Sequence, residues 1–186
     1  MCQKRILIKE KIILYIYHMK FMKLSLALVI CFAFACSDHA KENTLTKKSM
    51  QDSTSYTITK LLNVSPKKVY NAYLDPQALK IIWGVDSITI DAKPEGKAHA
   101  ILRIGAQNWD FTLTYKEVIP DQKLKWVAHF DHFPKIEVWT TVVFNSVKEG
   151  TELSFSQENF STKAERDENQ KANTGAIEKL RVFLSK

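Results

Sequence analysis

The chain has 186 residues, room for one domain of ordinary size and little besides. Its formal charge of +7 is lopsided: six of the 27 Lys and Arg precede Cys36 against the single acid Glu10, which leaves 21 basic and 19 acidic residues from Ser37 onward. A near-neutral body without a basic stripe excludes a nucleic-acid reader, and with only Cys2, Cys31 and Cys36 present, that body holds neither a disulfide nor a thiolate zinc site.

Residues 24–34, LSLALVICFAF, form an uncharged run of eleven. A membrane-spanning helix needs about 20 apolar residues, whereas a run of this length suits the apolar core of a signal peptide behind a basic start. Lys20 and Lys23 supply that start if translation begins at Met19 or Met22. The upstream MCQKRILIKEKIILYIYH is then a mis-assigned extension or a second basic and apolar leader. Cys36 follows Ala33-Phe34-Ala35, and the pattern resembles a bacterial lipobox, although that motif prefers Leu, Val or Ile where Ala33 stands and a small residue where Phe34 stands. The resemblance implies cleavage before Cys36 and acylation of its thiol and new amino group. The alternative is a plain secretory signal with an incidental cysteine. Residues 37–55 have the polarity of a tether rather than a packed element. The expected organisation is a signal peptide over 1–35, a lipidated Cys36 with its tether over 36–55, and a folded domain over 56–186. The expected location is a membrane-anchored lipoprotein on a periplasmic or cell-surface face.

Residues 56–64, YTITKLLNV, are β-branched and aromatic and read as a first strand. Two helix starts follow, Ser65-Pro66 and Asp75-Pro76, each a capping residue before a proline suited to the first helical position. Val69, Ala72 and Tyr73, then Leu79, Ile82 and Trp83, recur at helical spacing and predict two short helices ending at Gly84. Beyond Gly84 the apolar period is two. Ile88 and Ile90, then Ala98 to Ile104, Trp109 to Tyr115, Leu124 to Phe130, Ile136 to Phe144, and Leu153 with Phe155 alternate with polar residues. Turns rich in Gly, Pro and Asp separate them, which predicts an antiparallel meander of six strands. Thr162 and Glu165 have capping-box spacing, and Ala172, Ala176, Leu180 and Leu184, beside Ile177 and Phe183, form one apolar stripe of a final helix. The predicted class is α+β, a curved antiparallel sheet wrapped around a long C-terminal helix.

This order, with VSPKKVYNAYLDPQALKIIWG over residues 64–84, resembles the START-like or SRPBCC superfamily, in the branch related to the activator of a heat-shock chaperone's ATPase. Lys93-Pro94-Glu95-Gly96, Tyr115-Lys116-Glu117-Val118 with Pro120 and Leu124, and Gly150-Thr151-Glu152-Leu153 extend the likeness over about residues 55–186. Departures are Ile82-Trp83 where two aromatics are usual, and Ala176 after Gly175 where tryptophan is usual. The resemblance implies a helix-grip fold with a cavity between sheet and helix that takes sterols, lipids, hormones or polyketide intermediates in various members.

Aromatic residues dominate one predicted face of the sheet, and an apolar pocket with few polar groups is the ordinary ligand site. The residues expected to line it are Trp83, Trp109, Phe111, Tyr115, Trp126, Phe130 and Ile177; the alternative is that they simply fill the core. Thr140, with Thr112 or Thr114, is the sparse polar content of the apolar positions. His129-Phe130-Asp131-His132 offers two metal ligands at best, short of the three a catalytic zinc needs. No phosphate-binding glycine loop or nucleophile elbow is present, and nothing in the sequence calls for a cofactor or metal. The expected function is the binding or sensing of a small apolar, lipid-like or aromatic ligand without catalysis. Alternatives are a cyclase- or hydrolase-like enzyme of the same superfamily, or a protein-interaction module resembling the chaperone activator.

Overall fold

The computed structural model describes residues 54–186; the expected leader, Cys36 and nearly all of the tether lie outside the described residues. In chain order the elements are β1 (Ser55–Leu62), α1 (Pro66–Leu74), α2 (Pro76–Trp83), β2 (Ser87–Ile90), β3 (Lys97–Ile104), β4 (Gln107–Ile119), β5 (Lys123–Phe130), β6 (Phe133–Val147), β7 (Gly150–Glu158) and α3 (Lys163–Leu184). The seven strands form one curved sheet in the order β1-β7-β6-β5-β4-β3-β2, each neighbour antiparallel. Strands β2 to β7 are thus a meander, and β1 joins its far edge against β7.

The helix ends carry the caps the sequence announces. Ser65 Oγ accepts from the Lys68 N–H and Asp75 Oδ1 from the Gln77 N–H, each ahead of a proline. Gly84 closes α2 at φ 73°, a left-handed conformation that costs glycine little. At α3, Thr162 Oγ1 accepts from the Glu165 N–H at 3.2 Å, and Glu165 Oε2 accepts from the Ser161 N–H at 3.1 Å. The return bond reaches one residue before the cap, a variant of the capping box.

Alternation decides which face is buried. Ala98, Ala100, Leu113, Tyr115, Leu124, Trp126, Ala128, Val138, Val142, Phe144, Leu153 and Phe155 all point to the concave face and are buried. The aromatics of α1 cover part of it: Tyr70 and Tyr73 meet Phe144 edge-on with ring centres 5.7 and 5.6 Å apart. Irregular pairing between Tyr115 and Glu117 on β4, and between His129 and Phe130 on β5, bends the sheet.

Helix α3 departs from the predicted stripe. Ile177, Leu180 and Leu184 are buried as an apolar seam, but Ala172 is exposed, and the sheet-facing position one turn before Ile177 is Asn173. The helix is therefore apolar toward the sheet in its second half and polar in its first. The reason is geometric, since the first half lies over the polar end of β7 and β1, where Gln157 and Tyr56 offer hydrogen-bonding groups.

Candidate functional site

One cross-strand row organises the concave face. Tyr115 on β4 stands opposite Trp126 on β5, Trp126 opposite Thr140 on β6, Thr140 opposite Gln157 on β7, and Gln157 opposite Tyr56 on β1. The row changes character halfway, from aromatic to polar.

On the aromatic side the packing is closed. Trp126 meets Tyr115 edge-on at 6.2 Å and is flanked by Trp83 at 6.4 Å and Tyr73 at 6.5 Å between ring centres. Tyr115, Trp126 and Ile177 are at most 4% exposed. Burial raises the pKa of the row's tyrosines and of Tyr73, which packs on the row from α1: that of Tyr115 is pushed up to about 12, by burial first and by the nearby Tyr70 second. Tyr73 is raised by burial alone, and Tyr56 is raised by burial against the opposing pull of its bond from Asn173. These phenols stay protonated at neutral pH, and that of Tyr56 both donates and accepts a hydrogen bond.

Toward the end of the sheet where β1 begins, the packing opens. Phe111 and Phe130 form a cross-strand pair with ring centres 5.9 Å apart, and both are only half-buried. Trp109, two residues beyond Phe111, is half-buried and stacks on His132 at 4.4 Å. Trp83, the last residue of α2, is half-buried against the core, where its ring meets Trp126. Of the seven residues expected to line a pocket, Trp83, Trp109, Phe111 and Phe130 are half-buried, the last two as a cross-strand pair, while Tyr115, Trp126 and Ile177 are buried in the core.

The polar side of the row is a directed hydrogen-bond chain. Asn173 Nδ2 of α3 donates to Tyr56 Oη at 2.9 Å, to Gln157 Oε1 at 3.2 Å and to the Asn169 carbonyl at 3.1 Å. Tyr56 donates its phenol proton to Gln157 Oε1 at 2.5 Å, and Gln157 Nε2 donates to Thr140 Oγ1 at 3.0 Å. Thr140 is fully buried. Satisfied networks of this kind hold a buried polar patch in one arrangement. The sequence singles out Thr140; Thr112 and Thr114 lie on the opposite, convex face with Val127 and His129. It passes over Gln157 and Asn173. The available signals are that Gln157 falls on the same parity as Leu153 and Phe155, and that Asn173 precedes Ile177 by one helical turn.

The histidine cluster divides. His129 is on the convex face with its Nδ1 3.7 Å from Glu137 Oε1, whereas Asp131 and His132 make the turn into β6. Among the described residues no three His, Cys, Asp or Glu side chains converge as metal ligands. A surface cleft of about 610 Å³ lies at the opposite end of the sheet, lined in part by Pro66, Lys67, Ile119, Asp121 and Phe144. None of the half-buried aromatics borders it. Its lining lysine Lys123 is held by Glu117 at 2.7 Å.

Residues 63–185 match the family model described as "Activator of Hsp90 ATPase homolog 1-like protein". The fold is similar to that of protein CV1439 of Chromobacterium violaceum, with 20% identity, 72% of this chain and 99% of that one covered, and a TM-score of 0.61. Protein NE0264 of Nitrosomonas europaea is 15% identical over 72% of this chain and 96% of its own, with a TM-score of 0.61. The Staphylococcus aureus protein SA2116, described as of unknown function, is 18% identical over 70% and 93%, again at 0.61. At these identities the likeness is one of fold. No curated protein matches the chain.

Proposed function

Since the chain belongs to the Activator of Hsp90 ATPase homolog 1-like family of the SRPBCC type, we propose that its domain holds a small apolar ligand against the half-buried aromatic wall of the concave face. One observation carries the reading: on the concave face Phe111 and Phe130 form a cross-strand pair that the helices leave half-buried, with Trp109 on the same face two residues beyond Phe111. Aromatic faces left half-open on a concave surface are ordinary ligand contacts, and neighbouring polar groups fix orientation. Binding rather than catalysis is the reading the site favours, because the ionisable groups of the row are tyrosines that burial keeps protonated. The full chain is expected to brighten the uncharged fluorophore N-phenyl-1-naphthylamine saturably. Phe111→Ala with Phe130→Ala should weaken that binding about tenfold, through the aromatic area lost. Brightening that never saturates, or that the double variant leaves unchanged, contradicts the reading.

The proposal places this domain on a membrane through Cys36, whose acylation supplies the anchor while residues 37–55 act as the tether. More than one acyl chain is needed for stable anchoring, which lipoprotein processing would provide. Among the described residues no helix is long and apolar enough to cross a membrane. Labelled palmitate should enter the wild-type protein and be lost in Cys36→Ser; equal labelling of both sinks the anchor.

A further inference from the structure

The three helices carry the domain's basic excess. Residues 66–83 and 171–185 hold six Lys and Arg against Asp75 and Glu178, an excess of four. Residues 54–186 as a whole hold 18 against 16, an excess of two, so the remainder of the domain is net acidic. Lys67, Lys68 and Lys80 are far from Lys171 and Lys179 in sequence, but the fold brings their helices together. Helix α2 packs against α3, and Lys68 Nζ of α1 donates to the Leu184 carbonyl of α3 at 3.0 Å. Pairing separates this layer from the sheet. Lys93, Lys116 and Lys123 meet Asp91, Glu95 and Glu117 at 2.9, 2.8 and 2.7 Å. Among the described residues, Lys67, Lys68, Lys80, Lys171 and Lys179 have no ion-pair partner, and Glu178 is taken by Lys60 and Arg181. These lysines face outward, because Val69 and Tyr73, Leu79 and Ile82, and Ile177, Leu180 and Leu184 hold the inward positions. Four of the five are exposed, and Lys80 is half-buried. Two large apolar side chains stand among them: Ile81 is 54% exposed beside Lys80, and Val182 is 46% exposed three residues after Lys179. One exposed aliphatic group is ordinary. Two amid unpaired lysines, on the outer faces of packed helices, have the composition of a surface that lies in a lipid interface.

We propose that the outer face of this helical layer docks on an anionic lipid bilayer. Ile81 and Val182 enter the head-group region, and the lysines meet lipid phosphates, each worth roughly fivefold in affinity near such a surface. The charge is complementary only on this side, and docking leaves the net-acidic remainder of the domain away from the bilayer. The contact is made by the folded domain itself and is separate from both the aromatic site and acylation at Cys36.

Hydrogen exchange of the full chain, read by mass spectrometry with and without vesicles, tests this. The apolar residues 24–34 can bring the chain to any bilayer, so the informative readout is which part of the domain is covered, not whether the chain binds. The expected result is slowed exchange in peptides from residues 66–83 and 171–186 with vesicles of phosphatidylglycerol and phosphatidylcholine. Phosphatidylcholine alone should change little, and β5 and β6 should be unaffected by either. About 0.5 M NaCl, where charges are screened beyond roughly 4 Å, should abolish the slowing. Lys171→Gln with Lys179→Gln should lower the ratio of covered to free domain about fivefold or more. Both positions are exposed, and unchanged exchange without vesicles serves as the control for folding. No slowing, slowing equal with the two kinds of vesicle, slowing confined to other elements, or slowing that the double variant leaves unchanged overturns the proposal. Slowing of the same peptides by duplex DNA and not by anionic vesicles would assign the face to nucleic acid and overturn it as well.

Discussion

Tyr115 shows how much a single position on the concave face carries. It is 2% exposed, packs edge-on against Trp126, and belongs to the aromatic half of the row that crosses the sheet. Burial lifts its phenol pKa from the ordinary 10 to about 12, because an ionised phenolate would lose its hydration in the core. The folded-state value is the higher one, so the contribution to stability is complete below pH 10, where neither state ionises. Above that the unfolded chain releases the proton first, and the contribution is lost as pH climbs through the folded value. Thermal melts followed by circular dichroism should give a midpoint that is not lowered by this group up to about pH 9.5 and falls between pH 10 and about 12. Tyr115→Phe should make that fall shallower. A fall of the same steepness in the variant would show that Tyr115 is not the group responsible. The position was legible in the sequence as an inward, apolar-parity residue. That it would be walled in, while Phe111 two registers away stays half-open, was not. That distinction depends on Tyr73 and Trp83 arriving from the helices, which strand periodicity does not encode.

Among the elements, the corner between β1 and α1 is the most tightly specified. Gly150 begins β7 at φ 133°, and a Cβ on it would land on the Leu62 carbonyl oxygen and crowd Val64. Its neighbour Thr151 is fully buried and donates its hydroxyl proton to the Val64 carbonyl at 2.6 Å. This pair locks the exit of β1 just before the Ser65 cap, and so sets where α1 and the tyrosines it carries meet Phe144. Gly150→Ala is expected to cost about 2–3 kcal/mol, from the disfavoured backbone and the clash with main-chain atoms that cannot yield. Urea unfolding measures it, and a change within 0.5 kcal/mol, about the range of an ordinary surface substitution, would show that the corner is softer than its geometry says. Caps and turns of this kind were readable from Ser65-Pro66, Asp75-Pro76, Thr162 and the turn at Glu149-Gly150, because each is a local rule about a few residues; the bond from Thr151 to Val64 was not. Helix α3 was readable only in half. Ala172 and Ala176 were counted with the apolar stripe by spacing alone, and the preference for Asn173 over Ala172 comes from Tyr56 and Gln157, which are 117 and 16 residues away in sequence.

For the whole molecule, the order of elements was the most legible property: one strand, two capped helices, six strands at short spacing and a long helix leave few ways to bury the apolar faces. The meander order of β2 to β7 follows from that list, while the place of β1 beside β7 does not, and membership of the family rests on the match over residues 63–185. Less of the site could be read, because it depends on how far α3 and α2 cover the sheet rather than on which residues face inward. Aromatic parity named the inward-facing aromatics; which of them stay half-buried, and that Asn173 bonds Tyr56 and Gln157, required the helices to be docked. Occupancy of the half-open aromatic end by a small molecule is open to native mass spectrometry of the full chain, purified in mild detergent from the cells that make it. The expected spectrum has a second species heavier than the protein by one small molecule, released on raising the collision energy and depleted in Phe111→Ala with Phe130→Ala. A single species at the protein's own mass, with nothing recovered by solvent extraction, would contradict it.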